Sequence, residues 1–283
     1  MLAIALALAC ALTYGAADFL GGISSRRASL YGVMVISQLC GLAVICAALP
    51  FLGGRPDAHA LVAGAVAGLF GAGGIALLYI GLAIGRMGIV SPITAGLAAA
   101  FPALWGIGHG EHPSSATFAG LACALIAIVL VSLTPDEPGM IKVDRRFGLP
   151  AGVAEAIASG LFLSGFFIIL GTIDRAAGLT PLVTARVASI AALAAIALVA
   201  GRPLSVPRSS LAIVLVCGAL DMIANVFFVL ATRSGLLSIV VVISSLYPAA
   251  TVALAAILLR ERLIPVQWAG VGFALVGIAL IAA

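Results

Sequence analysis

The sequence predicts an all-α integral membrane protein with ten transmembrane helices, arranged as two inverted five-helix repeats. Three observations carry this. The 283-residue chain is 64% hydrophobic and 8% charged, with a mean hydropathy of +1.30, whereas soluble domains carry about 25% charged residues. No water-soluble fold of this size buries so much apolar surface, so the bilayer must be the solvent for most of it. Clusters of Gly, Pro and charge cut the chain into apolar stretches near the ~20 residues that a spanning helix needs. Finally, landmarks of the first half recur in order in the second.

The breaks fall at Ser24–Arg27, Gly53–Asp57, Gly85–Arg86, His109–Pro113, Thr134–Phe147, Ile173–Arg175, Gly201–Pro203, Arg233–Gly235 and Arg260–Arg262. They leave spans at 2–23, 29–51, 58–80, 87–108, 114–134, 148–172, 179–200, 208–231, 236–259 and 264–282. The first span lacks the basic leading region of a signal peptide and carries Asp18, and the repeat needs it as its first helix. The connection at 135–147 is the longest and most polar, and it separates a first repeat, 1–134, from a second, 148–283.

Gly54-Arg55-Pro56 recurs as Gly201-Arg202-Pro203, and Arg86-Met87-Gly88 as Arg233-Ser234-Gly235. Phe101-Pro102-Ala103 recurs as Tyr247-Pro248-Ala249, and Phe118-Ala119-Gly120 as Trp268-Ala269-Gly270, after acidic turns at Glu111 and Glu261. An odd number of spans per unit makes the second copy enter the membrane from the opposite side. Inverted repeats of this sort let one fold open to either side of a midplane site. The spacings Gly64/Gly68, Gly81/Gly85 and Gly160/Ser164 suit helices that approach through small faces.

The segment from Tyr247-Pro248-Ala249 through Arg260-Glu261-Arg262-Leu263 to Gly270-Val271-Gly272 resembles the closing half of an EamA domain. There a Pro-bearing helix ends in a Gly/Arg-Glu-Arg-Leu turn before a last Gly-rich helix. The first half carries His109-Gly110-Glu111-His112 at the corresponding turn. The resemblance covers the whole chain as two such domains. It implies the drug/metabolite transporter superfamily, with ten helices around a central cavity. Thirteen Arg against one Lys point to a GC-rich bacterial genome, and the expected location is multi-pass in the bacterial cytoplasmic (inner) membrane.

A charge at the centre of a spanning helix costs about 2.5–3.5 kcal/mol on insertion scales, so Asp18, Glu155, Arg186 and Asp221 each call for a reason. At about 1.5 Å per residue, Asp18 and Glu155 come to matching depth, while Arg186 and Asp221 reach a common level where they can pair. That pairing leaves Asp18 and Glu155 without a buried cation. Desolvation disfavours an ionised carboxylate, which is the physics of a proton-coupling site or of a site that welcomes a cationic amine. Tyr14 and Asp18, like Asp221 and Asn225, stand four residues apart and share a helix face. Gln38, Tyr79, Ser244, Ser245 and Tyr247 complete the candidate substrate or proton site. The resemblance implies for Arg186, the Arg of a second EamA helix, either structural pairing or binding of a substrate carboxylate. Pro92, Pro102 and Pro248 lie inside predicted spans as candidate hinges, and Trp105 and Trp268 read as interface anchors.

Other chemistries find no support. Basic residues sit singly or in pairs, which is a membrane-surface pattern and excludes a nucleic-acid partner. The five cysteines lie in apolar segments without metal-type spacing, and His59, His109 and His112 lie in or beside loops. There is no HExxH, P-loop or paired intramembrane aspartyl motif. The expectation is therefore no enzyme, no metal and no cofactor. The expected partners are a small-molecule substrate and the lipid bilayer, with the chain acting as monomer or homodimer. The function read from the sequence is a secondary transporter exporting amino acids, amines or drug-like compounds by alternating access, through proton exchange or facilitated diffusion. The alternatives are a passive channel or lipid-handling protein, and a non-transporting scaffold.

Orientation draws two opposing arguments. Arg26, Arg27, Arg86, Lys142, Arg145, Arg146, Arg202, Arg208, Arg260 and Arg262 fall in loops on one side, against Arg55, Arg175 and Arg233 on the other. The positive-inside rule then puts both termini outside the cytoplasm, whereas the family resemblance implies both inside. The backbone landmarks repeat but the buried charges do not: only Asp18 belongs to the first half. A substrate site is therefore expected to lean toward the second half.

Overall fold

The computed structural model describes residues 1–25, 28–84, 87–132, 143–144, 149–258 and 264–282. Helices stand where the apolar stretches fall. In the first half these are α1 (Leu2–Ser25), α2 (Leu30–Leu52), α3 (Ala58–Ile84), α4 (Met87–Gly108) and α5 (Ser115–Ser132). In the second half they are α6 (Val153–Thr172), α7 (Thr180–Val199), α8 (Arg208–Thr232), α9 (Leu237–Ser244), α10 (Tyr247–Leu258) and α11 (Pro265–Ala282). Among the described residues, seven helices are long and apolar enough to cross a membrane: α1, α2, α3, α6, α7, α8 and the run Leu237–Leu258 that joins α9 to α10. Shorter apolar helices occupy Ile93–Gly108, Ser115–Val131 and Pro265–Ile281. Leu12, Leu104, Ile257 and Leu275 are each more than 60% exposed, as a lipid-facing surface requires and a water-facing one tolerates poorly. All five cysteines are free thiols.

The halves interdigitate. Helix α1 packs on α8, α9 and α10, while α6 packs on α3 and α4; α2 lies against α7 and α8, α3 against α7, and α5 against α11. Without a hydrophobic drive in lipid, close approach through small residues holds such helices together. Gly68 of α3 sits on the Ala185 carbonyl of α7, and Gly218 of α8 sits on the Ser37 carbonyl of α2. Gly120 of α5 meets Gly277 and Ile281 of α11, and Gly270 of α11 meets Val131 of α5, so these two helices run antiparallel. Hydroxyls add interhelical hydrogen bonds: Ser159 donates to the Gly74 carbonyl at 2.7 Å, Ser164 to Leu97 at 3.0 Å and Thr251 to Gly15 at 3.1 Å. Val240 through Ile243 of α9 are fully buried, which is where a helix that is apolar all round belongs.

On the face where α1 begins, the α2–α3 and α6–α7 connections join by backbone. Gly53 and Gly178 form an antiparallel bridge, Arg55 N–H donates to the Ala176 carbonyl at 2.8 Å, and Leu179 N–H donates to Leu52 at 3.2 Å. Arg233 donates to the Gly178 carbonyl. The landmark Gly54 is glycine because a Cβ there would run into the backbone at Ala176–Gly178. Its counterpart Gly201 adopts φ +60°, a left-handed turn that ends α7 and suits glycine. On the opposite face, Ser29 donates to the Pro203 carbonyl at 2.5 Å.

Two expectations change. First, Val143–Asp144 (β1) and Leu149–Pro150 (β2) pair antiparallel, so α6 begins at Val153 rather than at 148. Glu155 therefore lies in the first turn of α6, shallower than Asp18, and the two carboxylates do not reach matching depth. Second, span 9 is interrupted after Ser244, just before Tyr247 and Pro248, while α4 runs unbroken through Pro102. Ala98-Ala99-Ala100 before Pro102 are strong helix formers, whereas Ser244-Ser245 before Pro248 favour local non-helical bonding. Trp105 and Trp268, by contrast, stand 43% and 62% exposed near helix ends, where interface anchors are expected. The connection at 135–147 lies outside the described residues apart from β1. Arg26, Arg27, Arg86, Lys142, Arg145, Arg146, Arg260 and Arg262, and the side chains of Tyr79 and Pro92, lie outside them too.

Candidate substrate cavity

A cavity of about 170 Å³ lies among α1, α2, α3, α4, α6, α7, α8 and the start of α10. It has room for roughly a dozen water-sized positions, the scale of a small organic solute. Its two walls differ in chemistry. One carries Tyr14 and Asp18 from α1, Gln38 from α2, Arg186 and Ser189 from α7, Asp221 and Asn225 from α8, and Tyr247 at the start of α10. The other carries Ile75 and Leu78 from α3, Ala98 from α4, and Leu163, Phe166 and Phe167 from α6.

Arg186 organises the polar wall. Its guanidinium donates to the Gln38 carbonyl oxygen and to an Asp221 carboxylate oxygen, tying α7 to α2 and α8. The ion pair is unevenly buried: the Arg186 side chain is 9% exposed and that of Asp221 33%. Both partners have thus given up water on one side, and the Gln38 amide satisfies part of the guanidinium fork. One turn further along α8, the Asn225 side-chain amide donates to the Asp221 backbone carbonyl at 2.8 Å. The Asn225 side-chain oxygen is buried without a partner. Tyr14 and Tyr247 lie side by side with ring centroids 6.2 Å apart and planes tilted by 60°.

Asp18 lines the same cavity one helical turn from Tyr14, as the four-residue spacing predicts. Among the described residues it has no hydrogen-bond or ion-pair partner. The structure therefore brings together Tyr14, Asp18, Gln38, Arg186, Asp221, Asn225 and Tyr247, and pairs Arg186 with Asp221. It does not bring Glu155 there. That side chain packs against Gly81 of α3 near the end of α6, with one oxygen buried and unpartnered. Ser244 and Ser245 are buried at the end of α9 and do not line the cavity, and their hydroxyls have no hydrogen-bond partner among the described residues. The sequence reading missed Ser189, one turn beyond Arg186, and the whole apolar wall.

It also missed Glu111. In the turn between α4 and α5, its carboxylate accepts from the backbone N–H groups of Leu237 at 2.5 Å and Ser238 at 2.9 Å, the first turn of α9. A carboxylate is the favoured cap for the exposed N–H groups and positive end of a helix. Gly106 leaves it room, since a Cβ there would meet the Glu111 carboxylate at 2.5 Å. The first-half acidic turn thus anchors the half-helix that leads to Tyr247. Glu111→Ala is expected to destabilise the protein by about 2 kcal/mol, the scale of two charge-assisted caps, with Glu111→Gln recovering part of it. Melting curves of the three proteins in one detergent check this; an unchanged midpoint in Glu111→Ala would contradict it.

Comparison with known proteins fits this architecture. A solved crystal structure of a protein superposes on the chain with a TM-score of 0.78 at 19% identity, covering 98% of this chain and 95% of that one. At that identity the likeness speaks for the fold alone. No curated protein matches the chain. The model of the EamA-like transporter family matches residues 151–283, which hold α6 through α11. The second half of this multi-pass membrane protein, residues 151–283, is thus similar to the EamA-like transporter family.

Proposed function

We propose that the protein is a secondary transporter that exports a small metabolite from the bacterial cytoplasm across the inner membrane, by alternating access at this cavity and in exchange for protons. The observation that carries the reading is an ionisable wall, Asp18 with the Arg186–Asp221 pair, set inside an apolar bundle and reachable from a cavity. Intramembrane ionisable groups facing a cavity mark substrate and proton pathways.

On this reading, 1–134 and 148–283 are inverted copies that together cross the membrane ten times, as a monomer or homodimer. Reciprocal packing supports it. Positions 120 and 270 stand as far apart along the chain as 131 and 281, and Gly120 meets Ile281 as Gly270 meets Val131. The contact glycines of α3 and α8, Gly68 on Ala185 and Gly218 on Ser37, keep that offset, three residues more than the Gly54/Gly201 spacing. It sets Gly71 and Ile75 of α3 against Asp221 and Asn225 of α8, and all four line the cavity. The scaffold repeats while the chemistry at equivalent positions differs. The break at Ser245–Leu246 beside Pro248 is the favoured hinge.

The test is pH-driven solute flux in vesicles holding the purified protein. Asp18→Asn and Asp221→Asn are each expected to abolish the flux or uncouple it from the proton gradient. Wild-type, gradient-dependent rates in both would end the coupling reading. Glu155, with its unpartnered buried oxygen, is the remaining candidate for holding a proton, and Glu155→Gln belongs in the same series.

A further inference from the structure

We propose that the cavity selects a singly charged organic amine with an apolar, aryl-sized end, and discriminates against amino acids and organic anions. The inference rests on the transporter reading and narrows its substrate class.

Charge comes first. The titratable groups lining the cavity are Tyr14 and Asp18 from α1, Arg186 from α7, Asp221 from α8 and Tyr247 from α10. Arg186 is committed, with its guanidinium held by Gln38 and Asp221. A solute carboxylate entering this cavity finds no other cation among the described residues, and to take Arg186 it must displace Asp221. Asp18 is different, since it is a carboxylate on the wall with no cationic partner among the described residues. An ammonium group supplies what Asp18 lacks.

Shape and polarity give the rest. An ammonium at Asp18 lies one helical turn from Tyr14, whose ring centroid is 6.2 Å from that of Tyr247 with the planes tilted by 60°. Electron-rich aromatic faces attract a cation. The opposite wall, formed by Ile75, Leu78, Leu163, Phe166 and Phe167, offers no polar side-chain partner and suits an apolar group. The same wall penalises a second charge or a sugar-like ring of hydroxyls, whose hydrogen bonds with water would go unreplaced. The solute is therefore oriented, amine to α1 and apolar end to α3 and α6.

The experiment is equilibrium binding to the full-length purified protein of four probes: phenethylamine, phenylalanine, 3-phenylpropionate and ethylamine. Phenethylamine is expected to bind at least tenfold tighter than each of the other three. Asp18→Asn is expected to weaken it by about tenfold or more, the scale of a charge-assisted contact. Phe166→Ala, which keeps the carboxylate, is expected to narrow the gap between phenethylamine and ethylamine. Phenylalanine or 3-phenylpropionate binding as tightly as phenethylamine overturns the proposal. So does undiminished phenethylamine affinity in folded Asp18→Asn, or failure of phenethylamine to bind the folded wild type. Binding of phenethylamine without vesicle flux supports the proposal and counts against the transport reading. Flux of another solute, with no phenethylamine binding, does the reverse.

Discussion

Arg186→Met should lose transport and most of its margin of stability together. The substitution keeps the length and apolar stem of the side chain but removes the cation shared by Gln38 and Asp221. Breaking a buried pair from one side costs about 3–5 kcal/mol, because the abandoned charge stays behind. Asp221 retains 33% of its side-chain exposure at the cavity, so water reaches it and the cost should fall toward ~3 kcal/mol. The informative comparison is the double variant Arg186→Met/Asp221→Leu. With no orphaned charge it should melt near the wild type, since apolar replacements of buried pairs are often neutral, yet it should still fail to transport. A single variant as stable as the wild type would show that the pair contributes nothing to the fold.

A second large effect is expected at the glycine contacts. Gly218→Val places side-chain atoms where the Ser37 carbonyl already stands, and Gly68→Val does the same at Ala185. Ordinary overpacking costs about 1–3 kcal/mol because side chains can shift. Here the obstacle is helix backbone, which cannot move without separating α2 from α8 or α3 from α7. Both variants should lose the monodisperse folded species on size-exclusion chromatography. Gly22→Ala and Gly272→Ala are the controls, because nothing lies within 4 Å of an added Cβ at either position. If Gly218→Val elutes and melts like these controls, the helices do not pack as described.

Much of the architecture could be read before any coordinates. Apolar length and the clusters of Gly, Pro and charge mark where helices begin and end, because both are local properties. The pairs Tyr14/Asp18 and Asp221/Asn225 followed from helical period, and the level shared by Arg186 and Asp221 followed from rise per residue. Glu155 escaped because β1–β2 takes up residues that hydropathy assigns to a span, which leaves the acid in the first turn of α6. Glu111 escaped because its partners, Leu237 and Ser238, are distant in sequence and contribute only backbone N–H groups. The apolar wall escaped because Leu163 or Phe166 inside an apolar helix carries no signal of its own. The Gly54/Gly201 and Arg86/Arg233 spacing sets Ile75 against Met222, so only the glycine contacts of the folded helices single out Ile75 as the counterpart of Asn225.

That asymmetry refines where the site leans. The polar wall takes residues from both halves, and the division runs between the α1–α8–α10 side and the α3–α4–α6 side. On the transporter reading proposed above, a reciprocal scaffold with unequal walls would open toward either face around a solute bound in one orientation.

The most direct test of that account is counterflow. Vesicles reconstituted with the wild-type protein are preloaded with unlabelled solute, and entry of external labelled solute is followed for amines, amino acids and sugars. Alternating access predicts a saturable influx with a transient overshoot for at least one solute, reduced or abolished in Asp18→Asn. Flux that rises linearly with concentration and shows no overshoot would mean a channel. No flux for any solute would mean a scaffold, and either result would contradict the transporter assigned here.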